Sequence, residues 1–103
     1  MLIPATATTP LVKYDETDFT LEIIGRSIPE DSLAFYEPVL NLLQDVQEHY
    51  PKTLKAVFQL EYVNTHSSRS ILDIFRKLDE IRSSGTLAKV FWVCEEDDRD
   101  III

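Results

Sequence analysis

The sequence predicts an α/β fold in which two main helices pack on a mixed β-sheet of about four or five strands. Short segments that alternate apolar and polar residues are typical of strands, and two longer segments carry apolar residues at helical spacing. Their order is strand, strand, helix, strand, helix, strand. Because helices connect the later strands, we expect parallel pairing there. The 103 residues are enough for one domain, which we expect to span 1–103.

The first part of the chain predicts a β-hairpin. Residues 1–9 are rich in Thr and Ala and are expected to form a loose arm or a short edge strand. Strands are predicted at 11–14 and 19–24, with a turn at 15–18 between them. Gly25 is expected to end the second strand.

The first helix is predicted to begin near 29–32, where acidic residues and Ser32 suit a helix start. Pro38 lies inside the helical pattern, and proline both lacks an N–H and disfavours a helical residue before it. We therefore expect a short irregular turn followed by a regular helix from about Pro38, ended by Pro51. The apolar residues at helical spacing are Phe35, Val39, Leu42, Leu43, Val46 and Tyr50.

The clearest strand pattern covers 54–63. Its second face is mixed rather than polar, so we expect this strand to lie inside the sheet. A last strand is predicted at 87–94. Trp92 is expected in the core, and the less favoured alternative places it at the sheet face as part of an interface. One face of the 54–63 strand is expected to carry Leu54, Ala56, Phe58, Leu60 and Tyr62.

The second helix is predicted from near Thr65 to about Arg82, with Gly85 suited to a left-handed cap after it. Its outer face is charged, which is typical of a helix that packs on a core through one side. The apolar stripe comprises Ile71, Ile74, Phe75, Leu78 and Ile81.

The composition argues against several classes of protein. A formal net charge of −8, from 10 basic and 18 acidic residues, disfavours nucleic-acid binding. No apolar stretch approaches the roughly 20 residues of a membrane span, and the N-terminus lacks the features of a secretory signal. The single cysteine, Cys94, cannot form an internal disulfide. We expect a cytoplasmic protein that does not bind a membrane.

No motif in the sequence predicts catalysis, a cofactor or a metal site. The two glycines cannot form a Gly-rich phosphate loop, and His49 and His66 lie far apart without zinc-ligand partners. Cys94 with His66 could be a nucleophile pair, but a packed thiol is favoured. The acidic run at 95–100 does not match a calcium loop, and a solvated loop is favoured. We expect no catalytic residue, no metal and no cofactor.

The most informative segment is 60–73, in which a strand-like run ends in short polar residues and a helical pattern follows at once. Free backbone N–H groups at a helix start make a good place to attach a phosphate. Arg69, one turn beyond Thr65, could pair with that phosphate, and Asp73 could hold Arg69 before modification. The residues on their own favour an ordinary helix cap. The cluster offers four hydroxyls, those of Thr65, Ser67, Ser68 and Ser70.

Three separated segments of the chain match a pattern found in a known family. They are Asn64-Thr65 after Leu60-Glu61-Tyr62, with Ser67 and 71–74; 25–32 with 35–38; and Trp92 with 96–100. Together they resemble the SiaC-type regulatory phosphoproteins. The family commonly has Ser after the Thr of its Asn-Thr motif, where this chain has His66, and it usually continues beyond the acidic segment. The resemblance implies a STAS-like fold, similar to the anti-sigma-factor antagonists.

The resemblance implies a non-enzymatic bacterial signalling switch. Thr65 would be phosphorylated by a Ser/Thr protein kinase and dephosphorylated by a metal-dependent phosphatase. The unphosphorylated form would bind and regulate a diguanylate cyclase, and so biofilm formation through cyclic-di-GMP. The alternative is a STAS-like antagonist in a partner-switching pathway that controls a sigma factor. The expected surroundings of the phosphosite are Asn64, His66, Ser67, Ser68 and Arg69.

Overall fold

A computed structural model describes residues 1–49 and 51–93, which form five strands and two helices. The predicted α/β fold with a mixed sheet is confirmed. In chain order the elements are β1 (Leu2–Ile3), β2 (Leu11–Asp15), β3 (Thr20–Ser27), α1 (Ser32–His49), β4 (Thr53–Val63), α2 (Thr65–Ser83) and β5 (Leu87–Trp92).

The sheet has the strand order β1-β2-β3-β4-β5. The first three strands pair antiparallel, whereas β4 pairs parallel with both β3 and β5. The interior position expected for β4 is therefore confirmed. Part of the N-terminal segment, Leu2–Ile3, is an edge strand, which is one of the two forms expected for it.

Both helices pack against each other and against the sheet in one shared core. The predicted stripe of α2 is confirmed, because Ile71, Ile74, Leu78 and Ile81 are buried and Phe75 is partly buried. Trp92 is partly buried at the margin of the core, where it stacks on Phe58 with 5.8 Å between ring centroids. The sheet contributes Val12, Tyr14, Leu21, Ile23, Leu54, Ala56 and Phe58 to the core.

The prediction that the regular helix begins at about Pro38 is wrong. Helix α1 runs unbroken from Ser32, with Pro38 inside it. Asp31 caps its N-terminus: its Oδ1 accepts the Ala34 N–H at 3.1 Å, and its carbonyl accepts the Phe35 N–H at 3.0 Å. Pro38 is exposed, so the carbonyl one turn before it, which lacks a helical donor, lies on the solvent side of the helix. The cap and the buried face outweigh the cost of the proline.

Gly25 does not end β3, which continues to Ser27. Gly25 has a φ of +125°, a conformation that side-chain-bearing residues rarely adopt. The strand register shifts here, since Gly25 pairs with Leu60 and Arg26 with Tyr62, so Glu61 is one extra residue in β4. This β-bulge turns the following residues of β4 over. Tyr62, which we expected on the face of Phe58, is 56% exposed instead.

Several expectations concern residues outside the described part of the chain. These are Tyr50 on the first helix, Cys94 at the end of the last predicted strand, and the acidic segment 95–100.

Candidate functional site

The candidate site is built on Asn64, the residue between β4 and α2. Asn64 has an extended backbone, and its Oδ1 accepts the Ser67 N–H at 2.8 Å, which makes it the N-cap of α2. Its carbonyl accepts both the N–H of Ser68 at 2.9 Å and the Ser68 hydroxyl at 3.1 Å. Its own N–H donates to the carbonyl of Ser27 at 3.0 Å. The first turn of α2 is therefore fixed to the end of β3.

The helix separates the four hydroxyls of this segment into two pairs. Ser67 is fully buried and Ser70 is 2% exposed, so neither hydroxyl can be reached by a protein kinase in the folded domain. Thr65 and Ser68 are exposed. Ser68 already donates its hydroxyl to Asn64, whereas the Thr65 hydroxyl enters none of the hydrogen bonds found among the described residues. Thr65 is the more available acceptor.

The surroundings of Thr65 suit an added phosphate. Within 1–49 and 51–93, no hydrogen bond uses the backbone N–H of Thr65 or His66, and the first turn of α2 contains no acidic residue. Both features leave the positive end of the helix dipole available to an anion. His66 and Arg69 are exposed. Arg69 lies one turn along, and helical side chains point back toward the N-terminus, which brings its guanidinium toward Thr65.

The prediction that Asp73 could hold Arg69 is wrong. Asp73 Oδ1 lies 3.4 Å from Arg76 Nη1 instead, three residues along the helix. The ion pairs among the described residues do not involve Arg69. Arg76 lies nearer the helix C-terminus, so this exposed pair leaves the guanidinium of Arg69 available to a group at Thr65.

Three buried hydroxyls lie beneath this corner, and we call them the hydroxyl cluster: Ser27 on β3, Tyr36 on α1 and Ser67 on α2. Ser27 donates its hydroxyl to Ser67 Oγ at 2.9 Å, and Tyr36 Oη lies 2.5 Å from Ser27 Oγ. All three residues are fully buried. Ser27 and Tyr36 were not among the site residues predicted from the sequence. Their only signal was that they lie in the upstream segments that resemble the family.

The hydroxyl cluster predicts a loss of stability at alkaline pH. Burial raises the pKa of Tyr36 above its ordinary value of 10.0. Above about pH 10 the unfolded chain releases this proton while the folded chain keeps it, so the free energy of unfolding falls as the pH rises. Below about pH 10 the contribution of protonated Tyr36 to the free energy of unfolding is fully present.

We expect Tyr36→Phe to make this fall shallower, as measured by urea unfolding at several pH values from 8 to 11. Tyr14, whose pKa burial also raises, is present in both proteins and serves as the common background. An identical pH dependence of the two proteins would contradict the assignment to Tyr36.

Apolar side chains border the candidate site on the protein surface. Tyr62, turned outward by the bulge, is 56% exposed just before Asn64. Leu72 is 46% exposed, and it lies two turns from Thr65 on the same side of α2 as Arg69. Aromatic side chains such as Tyr62 are enriched in protein-binding surfaces.

The described residues include no group of three or more His, Cys, Asp or Glu side chains placed to hold a metal ion. Neither α1 nor α2 is long and apolar enough to cross a membrane.

Comparison with known proteins places the chain in a family. The model of the SiaC family of regulatory phosphoproteins matches residues 3–103. The chain belongs to this family. The resemblance found in the sequence is confirmed, and with it the assignment to a family of regulatory phosphoproteins. An uncharacterized protein of Pseudomonas aeruginosa strain UCBPP-PA14 is 28% identical over 90 residues, which are 87% of this chain and 71% of that protein.

Two solved structures show that the SiaC fold extends over most of the chain. Apo-SiaC from Pseudomonas aeruginosa superposes with a TM-score of 0.91 at 25% identity and covers 97% of this chain and 83% of its own. SiaC is also seen in complex with the diguanylate cyclase SiaD, which it activates. That match has a TM-score of 0.83 at 27% identity and covers 87% of this chain and 74% of the other.

Proposed function

We propose that this SiaC-family chain is a non-enzymatic switch whose phosphorylation site is Thr65. In this proposal a Ser/Thr kinase and a phosphatase set the state of Thr65, and the unphosphorylated form binds and regulates a diguanylate cyclase. The observation that supports it most is the difference in exposure among the hydroxyls of α2. Thr65 is exposed and its hydroxyl makes no hydrogen bond among the described residues, whereas Ser67 and Ser70 are buried. Asn64, His66, Ser67, Ser68 and Arg69 are its surroundings.

A phosphate on Thr65 would be tolerated by the folded domain. It adds a charge of about −1.5 to −2 and several acceptor oxygens at the positive end of α2. The open N–H groups of Thr65 and His66 can donate to it, and the exposed guanidinium of Arg69 can pair with it. Modification at this position therefore changes the surface without unfolding the domain.

The same phosphate would oppose a partner that covers this corner. A protein that packs on Tyr62 and Leu72 would exclude water from Thr65, which lies on the surface beside them. Burying a divalent anion under such a partner carries a large desolvation cost, and the added bulk separates the two surfaces. Release on phosphorylation follows from the position of Thr65 between these apolar groups.

A cyclase is the favoured partner of the two classes that the sequence left open. SiaC of Pseudomonas aeruginosa, similar over 87% of this chain, forms a complex with the diguanylate cyclase SiaD. In this proposal the chain likewise acts as a binding module for a cyclase. The kinase adds the phosphate to Thr65 and the phosphatase removes it.

The proposal is tested by binding to the SiaD-like diguanylate cyclase of the same organism. We expect Thr65→Ala to bind as the unmodified protein does and Thr65→Asp to bind at least about tenfold more weakly, which is about 1.4 kcal/mol. Titration calorimetry measures the affinities. Thr17→Asp adds the same charge at the exposed β2–β3 turn, remote from α2, and should leave binding unchanged. Equal affinities for Thr65→Ala and Thr65→Asp would contradict the proposed role of Thr65.

A further inference from the structure

The hydroxyl cluster of Ser27, Tyr36 and Ser67 joins three elements directly beneath Thr65. We propose that this cluster is a positioning device for the phosphoacceptor. It fixes the first turn of α2 to β3 and α1, so that a kinase and a phosphatase meet the Thr65 hydroxyl in one orientation. The inference rests on the proposed role of Thr65 as the acceptor.

Ser27 holds α2 at two points. Its carbonyl accepts the N–H of Asn64 at 3.0 Å, and its hydroxyl donates to Ser67 Oγ at 2.9 Å. These two contacts lie on either side of Thr65 in the sequence. Because both are fixed to one residue of a sheet strand, Thr65 cannot rotate about the helix axis unless one of the bonds breaks.

Tyr36 extends this attachment to the other helix. A serine has one hydroxyl proton, and Ser27 gives its own to Ser67, so Tyr36 is the donor in its 2.5 Å contact with Ser27. The phenol ring is fully buried and packs edge-on against Phe35, with 4.9 Å between centroids. The first turn of α2 is thus linked to the buried face of α1.

Ser70 allows the effect of the hydrogen bonds to be separated from the effect of burying a polar group. Ser70 is on the same helix and nearly as buried as Ser67, yet its Oγ has no hydrogen-bond partner among the described residues. It lies one turn later, beyond the capped segment. Ser67→Ala and Ser70→Ala therefore remove the same atom from equivalent burial, and only the first breaks the attachment to Ser27.

The first experiment is amide hydrogen exchange on the unmodified full chain, which needs no kinase. We expect Ser67→Ala and Ser27→Ala to speed exchange of the N–H groups of Ser67 and Ser68 by about tenfold, the effect of losing one hydrogen bond. Exchange in the second half of α2 should not change. Ser70→Ala should match the unmodified protein in both halves. Equal exchange for Ser67→Ala and Ser70→Ala would overturn the proposal.

The second experiment measures phosphorylation of Thr65 by the Ser/Thr kinase that modifies the unaltered chain. We expect Tyr36→Phe and Ser67→Ala to lower kcat/KM severalfold while Ser70→Ala leaves it unchanged. Ile74→Val, a core substitution in α2 away from the cluster, controls for stability and should also leave kcat/KM unchanged. Equal losses for Ile74→Val and Ser67→Ala would mean that only stability matters, which overturns the proposal. If no kinase modifies Thr65, the proposed function fails and the role in phosphorylation fails with it, while the exchange data separately decide whether the cluster fixes the first turn of α2.

Discussion

Replacing Thr65 by Ala is expected to abolish stoichiometric phosphorylation of the chain by its Ser/Thr kinase. Thr65 supplies the exposed and unengaged hydroxyl of α2, and the buried Ser67 and Ser70 cannot substitute for it in the folded domain. Incorporation of phosphate, located by mass spectrometry of the intact protein and its peptides, measures the effect. Thr65→Ser keeps a hydroxyl at the same place and should remain a substrate.

Ser68→Ala is the matched control for this prediction. Ser68 is also exposed on the first turn of α2, but its hydroxyl donates to the carbonyl of Asn64. The variant should still be phosphorylated at Thr65 to the full extent. Full phosphorylation of Thr65→Ala at another residue would refute the assignment.

Replacing Phe58 by Ala is expected to lower the free energy of unfolding by about 3–5 kcal/mol. Phe58 is fully buried at the centre of β4, with its ring centroid 5.0 Å from that of Phe75 and stacked on Trp92. The substitution removes these aromatic contacts and leaves a cavity between the sheet and α2. Since a domain of this size is stable by about 5–15 kcal/mol, urea unfolding should show a large shift of the midpoint.

Phe91→Ala provides the comparison for Phe58→Ala. Phe91 is the same residue type on the neighbouring strand, but it lies on the opposite face of the sheet and is 44% exposed. Its ring makes a 5.1 Å contact with the ammonium group of Lys55, an interaction worth about 0.5–1 kcal/mol at exposed sites. We expect a much smaller loss of stability, and equal losses in the two variants would contradict the placement of the core.

The regular elements of this fold could be predicted because each has one dominant periodicity. The stripe from Ile71 to Ile81 and the alternation around Phe58 depend on local spacing alone, and the structure confirms both. Pro38 and Gly25 were misread because local propensity was outweighed by tertiary structure. A buried helix face kept α1 intact, and pairing with β4 carried β3 past its glycine.

The parts of the site that sequence reasoning missed depend on contacts between distant residues. Ser27 and Ser67 are 40 positions apart, and nothing in the local pattern shows that their hydroxyls meet. The bulge at Glu61 likewise arises from the pairing of two strands, and it reversed the expected orientation of Tyr62. The choice of Thr65 came from the family resemblance. Its exposure beside the buried Ser67 is the part that only the fold supplies.

The sorting of hydroxyls on α2 has a consequence for how a kinase would recognise this substrate. A short synthetic peptide covering 60–73 offers four hydroxyls in equal measure, because nothing holds it in a helix with one side covered. In the folded domain Ser67 and Ser70 lie on the buried side of α2, where a kinase cannot reach them. Selectivity for Thr65 is then encoded in three dimensions rather than in a linear motif, and peptide libraries are poor surrogates for the intact protein.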